Sequence, residues 1–90
     1  MTQITEDRET RLKRLKMRSM RRGIKEMDLI LMAYADNRMA DLDAPALDLY
    51  EALLEENDHD LYQWVSGQAP TPSQYLDLVT DIAKDLNFKK

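Results

Sequence analysis

Ninety residues suffice for one domain and not for two, and a composition 43% hydrophobic and 33% charged is globular rather than disordered. The absence of cysteine excludes disulfides, Cys-ligated zinc, iron–sulfur clusters and a thiol nucleophile. The net charge of −4 conceals a division: residues 1–26 hold nine basic and four acidic side chains, and residues 27–90 hold four basic and thirteen acidic ones. A docking arm for an oppositely charged surface explains that asymmetry, and so does a solvated first helix.

Two glycines and three prolines in the whole chain suit helices joined by short turns. The apolar spacing predicts an all-α fold, a small five-helix bundle forming one domain over residues 1–90, with ends 1–4 and 87–90 frayed. A first helix runs from about Thr5 to Arg21, with Leu12, Leu15 and Ser19 on one face and Met20 beside them. Gly23 follows a Lys/Arg-rich turn, the place where a left-handed backbone ends a helix. The second helix, Ile24 to Asn37, has Met27, Ile30, Leu31 and Tyr34 as its apolar face, widened by Leu29, Met32 and Ala35, and is expected to be central.

Asp41 or Asp43 caps the third helix, with Pro45 in its first turn and Leu47, Tyr50, Leu53 and Leu54 buried. Asp58 or Asp60 caps a short fourth helix holding Leu61, Trp64 and Val65, stopped by Gly67. Thr71-Pro72-Ser73-Gln74 reads as a capping box for the fifth, which carries Tyr75, Leu78, Val79, Ile82 and Leu86.

Catalytic chemistry is scarce. The single histidine, His59, sits in an acidic turn without the partners that a metal site or a catalytic triad needs. Two glycines cannot build a phosphate-binding loop. No apolar run nears the ~18 residues of a membrane span, and the N-terminus lacks a signal-peptide core. Glu6, Asp7 and Glu9 do not suit a transit peptide, so the expected location is the bacterial cytoplasm, although a mature organellar chain would read the same. A basic helix could lie on nucleic acid, but an acidic chain of pI near 4.9 is unlike most nucleic-acid-binding domains. A helical adaptor for a client protein meets fewer objections.

The most informative stretch is Arg21-Arg22-Gly23-Ile24-Lys25-Glu26-Met27-Asp28-Leu29. It sets a guanidinium, a bare backbone and a carboxylate within five residues, and a helix-to-helix corner explains all three through the helix dipoles. The stretch also resembles the Arg-Gly-x-x-Glu motif of the succinate dehydrogenase flavinylation factors, the SdhE family, called succinate dehydrogenase assembly factor 2 in mitochondria. Asp58-His59-Asp60-Leu61-Tyr62-Gln63-Trp64 resembles that family's second signature, Asp-x-Asp-Leu-Tyr-x-Trp, and the likeness covers roughly residues 8–86. Met27 stands where leucine is more usual.

The resemblance implies a small five-helix assembly factor that is not an enzyme. It implies binding to the flavoprotein subunit of succinate dehydrogenase, and in some bacteria of fumarate reductase, to promote covalent attachment of FAD to that subunit. FAD then belongs to the partner, and no cofactor is held stably by this chain. Carried onto this sequence, the partner-binding residues are Arg22, Gly23 and Glu26, with Asp28 a neighbour on the same surface. In that reading Arg22 forks onto a carboxylate or carbonyls of the partner, and Gly23 lets the two backbones approach.

Overall fold

A computed structural model of the chain describes residues 6–88. Helix α1 spans Arg8–Arg18, α2 Lys25–Asn37, α3 Ala44–Leu54, α4 Asp58–Ser66 and α5 Leu76–Phe88, with 3-10 turns at Met39–Asp41 and Ser73–Tyr75. The five expected helices are therefore present, and the described residues contain no strand. Residues 1–4 and 89–90, expected to fray, lie outside the described range, whereas α5 continues through positions 87 and 88. No helix among the described residues is long and apolar enough to cross a membrane.

Side-chain caps fix several helix starts. The Asp7 carboxylate accepts the Thr10 amide ahead of α1, and Asp43 accepts the Ala46 amide ahead of α3. At α4 the capping residue is Asn57, whose side chain accepts the His59 amide. Neither Asp58 nor Asp60 caps, contrary to expectation, because Asp58 is already the first helical residue and its carboxylate is engaged elsewhere. The capping box expected at Thr71-Pro72-Ser73-Gln74 does not form either. Pro72 leads into a 3-10 turn without a side-chain cap, and α5 begins only at Leu76. This tighter turn seats Tyr75 in the core, its ring 5.9 Å from that of Trp64 and its hydroxyl donating to Glu56 at 2.9 Å.

The core gathers around α2, which packs against α1, α4, α5 and the first 3-10 turn. Met27, Leu31 and Tyr34 of α2 are wholly buried, together with Leu15, Tyr50 and Leu61 of the neighbouring helices. On α5, Tyr75, Leu78, Val79 and Ile82 form the buried stripe. Two expected core positions are outside it: Leu29 is 59% exposed and Leu86 40% exposed. Helix α1 sends in Leu15, and Ser19 at its C-terminal cap is also buried. The Ser19 hydroxyl donates to the Leu15 carbonyl at 2.8 Å, so it accepts from the Tyr50 hydroxyl at 2.7 Å. Burial pushes the Tyr50 phenol up to about 12.

The charge division is matched inside the molecule. Arg11 pairs with Asp48 at 2.6 Å and Glu51 at 3.1 Å. Arg14 pairs with Glu6 at 2.8 Å and Glu51 at 2.9 Å, and Arg18 with Glu55. Lys16 reaches Asp36 at 2.6 Å, and Arg8 donates to the Ala40 and Leu42 carbonyls. The Arg14 guanidinium, then that of Arg11, holds the Glu51 carboxyl below its usual value. Arg11, Arg14 and Arg18 of α1 thus face the acidic side chains of and beside α3, while Glu9, Thr10, Lys13 and Met17 leave the other side of the helix exposed. Periodicity could not reveal the pairing of α1 with α3, since Arg11–Asp48 and Arg14–Glu51 each join residues 37 positions apart.

Candidate docking site

The chain turns from α1 to α2 through Ser19-Met20-Arg21-Arg22-Gly23-Ile24. The left-handed residue is Arg21, with φ of 55°, and not Gly23 as the sequence suggested. The Arg21 amide donates to the Asp28 carboxylate at 2.8 Å, which fixes that strained conformation from the first turns of α2. Asp28 therefore has a defined internal task beside the corner.

Arg22 sits where three helices meet. Its Nη1 donates to the Arg18 carbonyl at 2.9 Å and its Nη2 to the Leu54 carbonyl at 2.9 Å, the C-terminal ends of α1 and α3. Its Nε donates to Asp58 Oδ1 at 2.8 Å, at the start of α4. A cation at two helix C-termini and a carboxylate at a helix N-terminus are each favoured by the helix dipoles. The Arg22 side chain is only 11% exposed and that of Asp58 16%. The structure thus directs Arg22 inward as the hub of the corner, in place of the outward fork that the sequence suggested.

The other oxygen of Asp58 accepts the Gly23 amide at 2.6 Å. A Cβ on Gly23 would stand 3.1 Å from Asp58 Oδ2, tighter than ordinary contact. A glycine at position 23 is explained by this close seat for a carboxylate, with no demand for positive φ. The two sequence signatures, thirty-five residues apart, therefore meet at one carboxylate. The role of Asp58 was visible only as a motif letter, because capping offered a simpler use for it.

What remains on the surface is the exposed Gly23 backbone and the exposed Glu26 side chain in the first turn of α2. Glu26 makes no ion pair or side-chain hydrogen bond among the described residues, so its carboxylate is open to an outside donor. Tyr62 is half-buried, and Trp64 is half-buried against Tyr75. His59 is exposed, and no group of three metal-ligating side chains converges among the described residues. Chemically, the site can offer a rigid backbone corner and one free carboxylate.

A family model described as the flavinator of succinate dehydrogenase matches residues 13–86. The chain is similar to the mitochondrial succinate dehydrogenase assembly factor 2 of Drosophila grimshawi, 36% identical over 76 residues, which covers 82% of this chain and 52% of that protein. It is 40% identical over 72 residues to the protein of the same name from Aspergillus terreus, covering 77% of this chain and 24% of the relative. For Meyerozyma guilliermondii the figures are 39% over 75 residues, 80% of this chain and 56% of the relative. The chain spans between about a quarter and somewhat over half of the length of these relatives. All three are named as mitochondrial proteins of eukaryotes, which overturns the expectation of a bacterial cytoplasmic protein.

Proposed function

We propose, from the premise that this chain belongs to the family of succinate dehydrogenase flavinators, that it is an assembly factor that docks on the flavoprotein subunit and promotes covalent attachment of FAD there. The observation that carries the reading is the meeting of both signatures at Asp58, with Arg22 on one oxygen and Gly23 on the other. Three helix ends tied to one guanidinium make a corner that presents its backbone and Glu26 in fixed relation. A rigid surface of this kind loses little freedom on docking.

The work done is positioning. By binding the subunit in the conformation where the acceptor histidine faces the flavin, the chain raises the population of a reactive geometry. No side chain of this protein takes part in the bond, so it is not itself an enzyme, and FAD stays with the partner. Gly23 and Glu26 make the contact, Asp28 holds Arg21, and Arg22 builds the corner from beneath. The nucleic-acid reading loses most of its motive, because Arg11, Arg14, Lys16 and Arg18 of α1 are engaged by Glu6, Asp36, Asp48, Glu51 and Glu55.

The test is deletion of the gene followed by in-gel flavin fluorescence of the denatured flavoprotein subunit. Covalent flavin should fall sharply and return with the wild-type gene. Undiminished fluorescence in the deletion strain removes this function.

A further inference from the structure

An apolar groove opens beside the corner, lined by Glu26, Leu29 and Ile30 of α2, Tyr62, Val65 and Ser66 of α4, and Leu86 of α5. Its volume is about 300 Å³, at the lower end of ligand pockets and suited to one or two bulky side chains. Leu29 and Leu86, which helical spacing had placed in the core, are the exposed apolar groups on its walls. A leucine left in water forgoes the stabilisation that burial gives, and two of them flanking one groove form a patch that a partner can cover.

We propose that this groove receives an apolar side chain of the flavoprotein subunit, flanked there by a lysine or arginine that pairs with Glu26. The inference rests on the docking reading above and specifies the chemistry of the partner segment. Three observations select that occupant. The groove is continuous with the corner, since Glu26 belongs to both, Ile30 lies one helical turn beyond Glu26, and Tyr62 one turn beyond Asp58. Glu26 is the only carboxylate in the lining and makes no ion pair among the described residues, so the edge of the groove selects a cation. The lining holds Glu26 and no cation, so a second copy placed face to face would set one Glu26 against another and supply no partner for either.

The experiment measures binding kinetics between the full chain and the purified flavoprotein subunit. Leu29→Asn and Leu86→Asn should each weaken binding about tenfold, mainly through faster dissociation, with melting temperatures close to that of the parent. Glu26→Lys should lower the association rate as well. Met17→Asn, at a residue 73% exposed and outside the groove, should bind as the parent does. A photo-crosslinking residue in place of Leu29 should label a subunit segment that contains a lysine or arginine beside an apolar residue. Parental affinity of both asparagine variants, where Gly23→Arg abolishes binding, overturns the groove proposal and leaves the docking function standing. A parent chain that does not bind the subunit overturns both. Self-association that Leu29→Asn abolishes overturns the proposal in favour of a second copy, and a crosslink to a segment without a basic residue overturns the pairing with Glu26.

Discussion

Replacing Asp58 with alanine removes one acceptor from two donors. Oδ1 takes the Arg22 Nε–H at 2.8 Å and Oδ2 takes the Gly23 amide at 2.6 Å. Hydrogen bonds to a charged group contribute about 1.5–3 kcal/mol each. Both side chains of the ion pair are mostly shielded, at 11% and 16% exposure, so screening reduces the total only in part. Arg22 keeps its bonds to the Arg18 and Leu54 carbonyls, which holds the loss below the ~5 kcal/mol of a wholly orphaned buried charge. The expected cost is therefore about 3 kcal/mol, with a fall in Tm of roughly 15 °C for a chain of this size. Urea unfolding followed by far-ultraviolet circular dichroism should show a lower midpoint with an unchanged slope. Asp58→Asn, which keeps an acceptor for one donor only, should fall between the two. A loss below about 1 kcal/mol would show that the corner is not held by this carboxylate.

Arg21→Gly should stabilise the fold by about 1 kcal/mol by relieving the left-handed conformation at φ 55°, and a lower urea midpoint would contradict that reading. The Glu51 carboxyl is held below its ordinary value of 4.5 by Arg14 and Arg11, so its contribution is complete above that pH and fades as pH falls through the depressed value. Glu51→Gln should accordingly flatten the loss of Tm below pH 4.5, and an unchanged acid profile would refute the claim. The Tyr50 phenol is raised from 10.0 to about 12, so stability should decline as pH rises through that interval. Tyr50→Phe should remove part of the decline while costing about 1 kcal/mol at neutral pH through the lost bond to Ser19.

The helices and most of the core were legible because apolar spacing reports which face a helix buries. Leu15 with Ser19, Met27 with Leu31 and Tyr34, and Val79 with Ile82 lie where that spacing places them. Spacing does not report what a face meets. Leu29 and Leu86 continue apolar stripes yet stand at the wall of an open groove. The Asp48 and Glu51 partners of Arg11 and Arg14 lie on α3 and the Glu55 partner of Arg18 at its C-terminal cap, and only the fold brings them into reach. At the corner, residue type suggested the left-handed turn at Gly23, the residue that accepts it at least cost. The Asp28 carboxylate instead secures Arg21 in that conformation, while Gly23 makes room for Asp58. The site residues were legible as motif letters, and the division of labour among them was not, because Arg22 looks the same in sequence whether it faces a partner or three helix ends.

The most direct measurement is covalent flavin formation on purified apo-subunit supplied with FAD, with and without this chain, read as in-gel fluorescence after denaturation. The parent chain should accelerate formation, and Gly23→Arg and Glu26→Ala should abolish most of that acceleration in preparations that circular dichroism shows to be folded. Equal flavinylation with folded Glu26→Ala and folded Gly23→Arg would contradict the claim that this corner is the surface through which the protein acts.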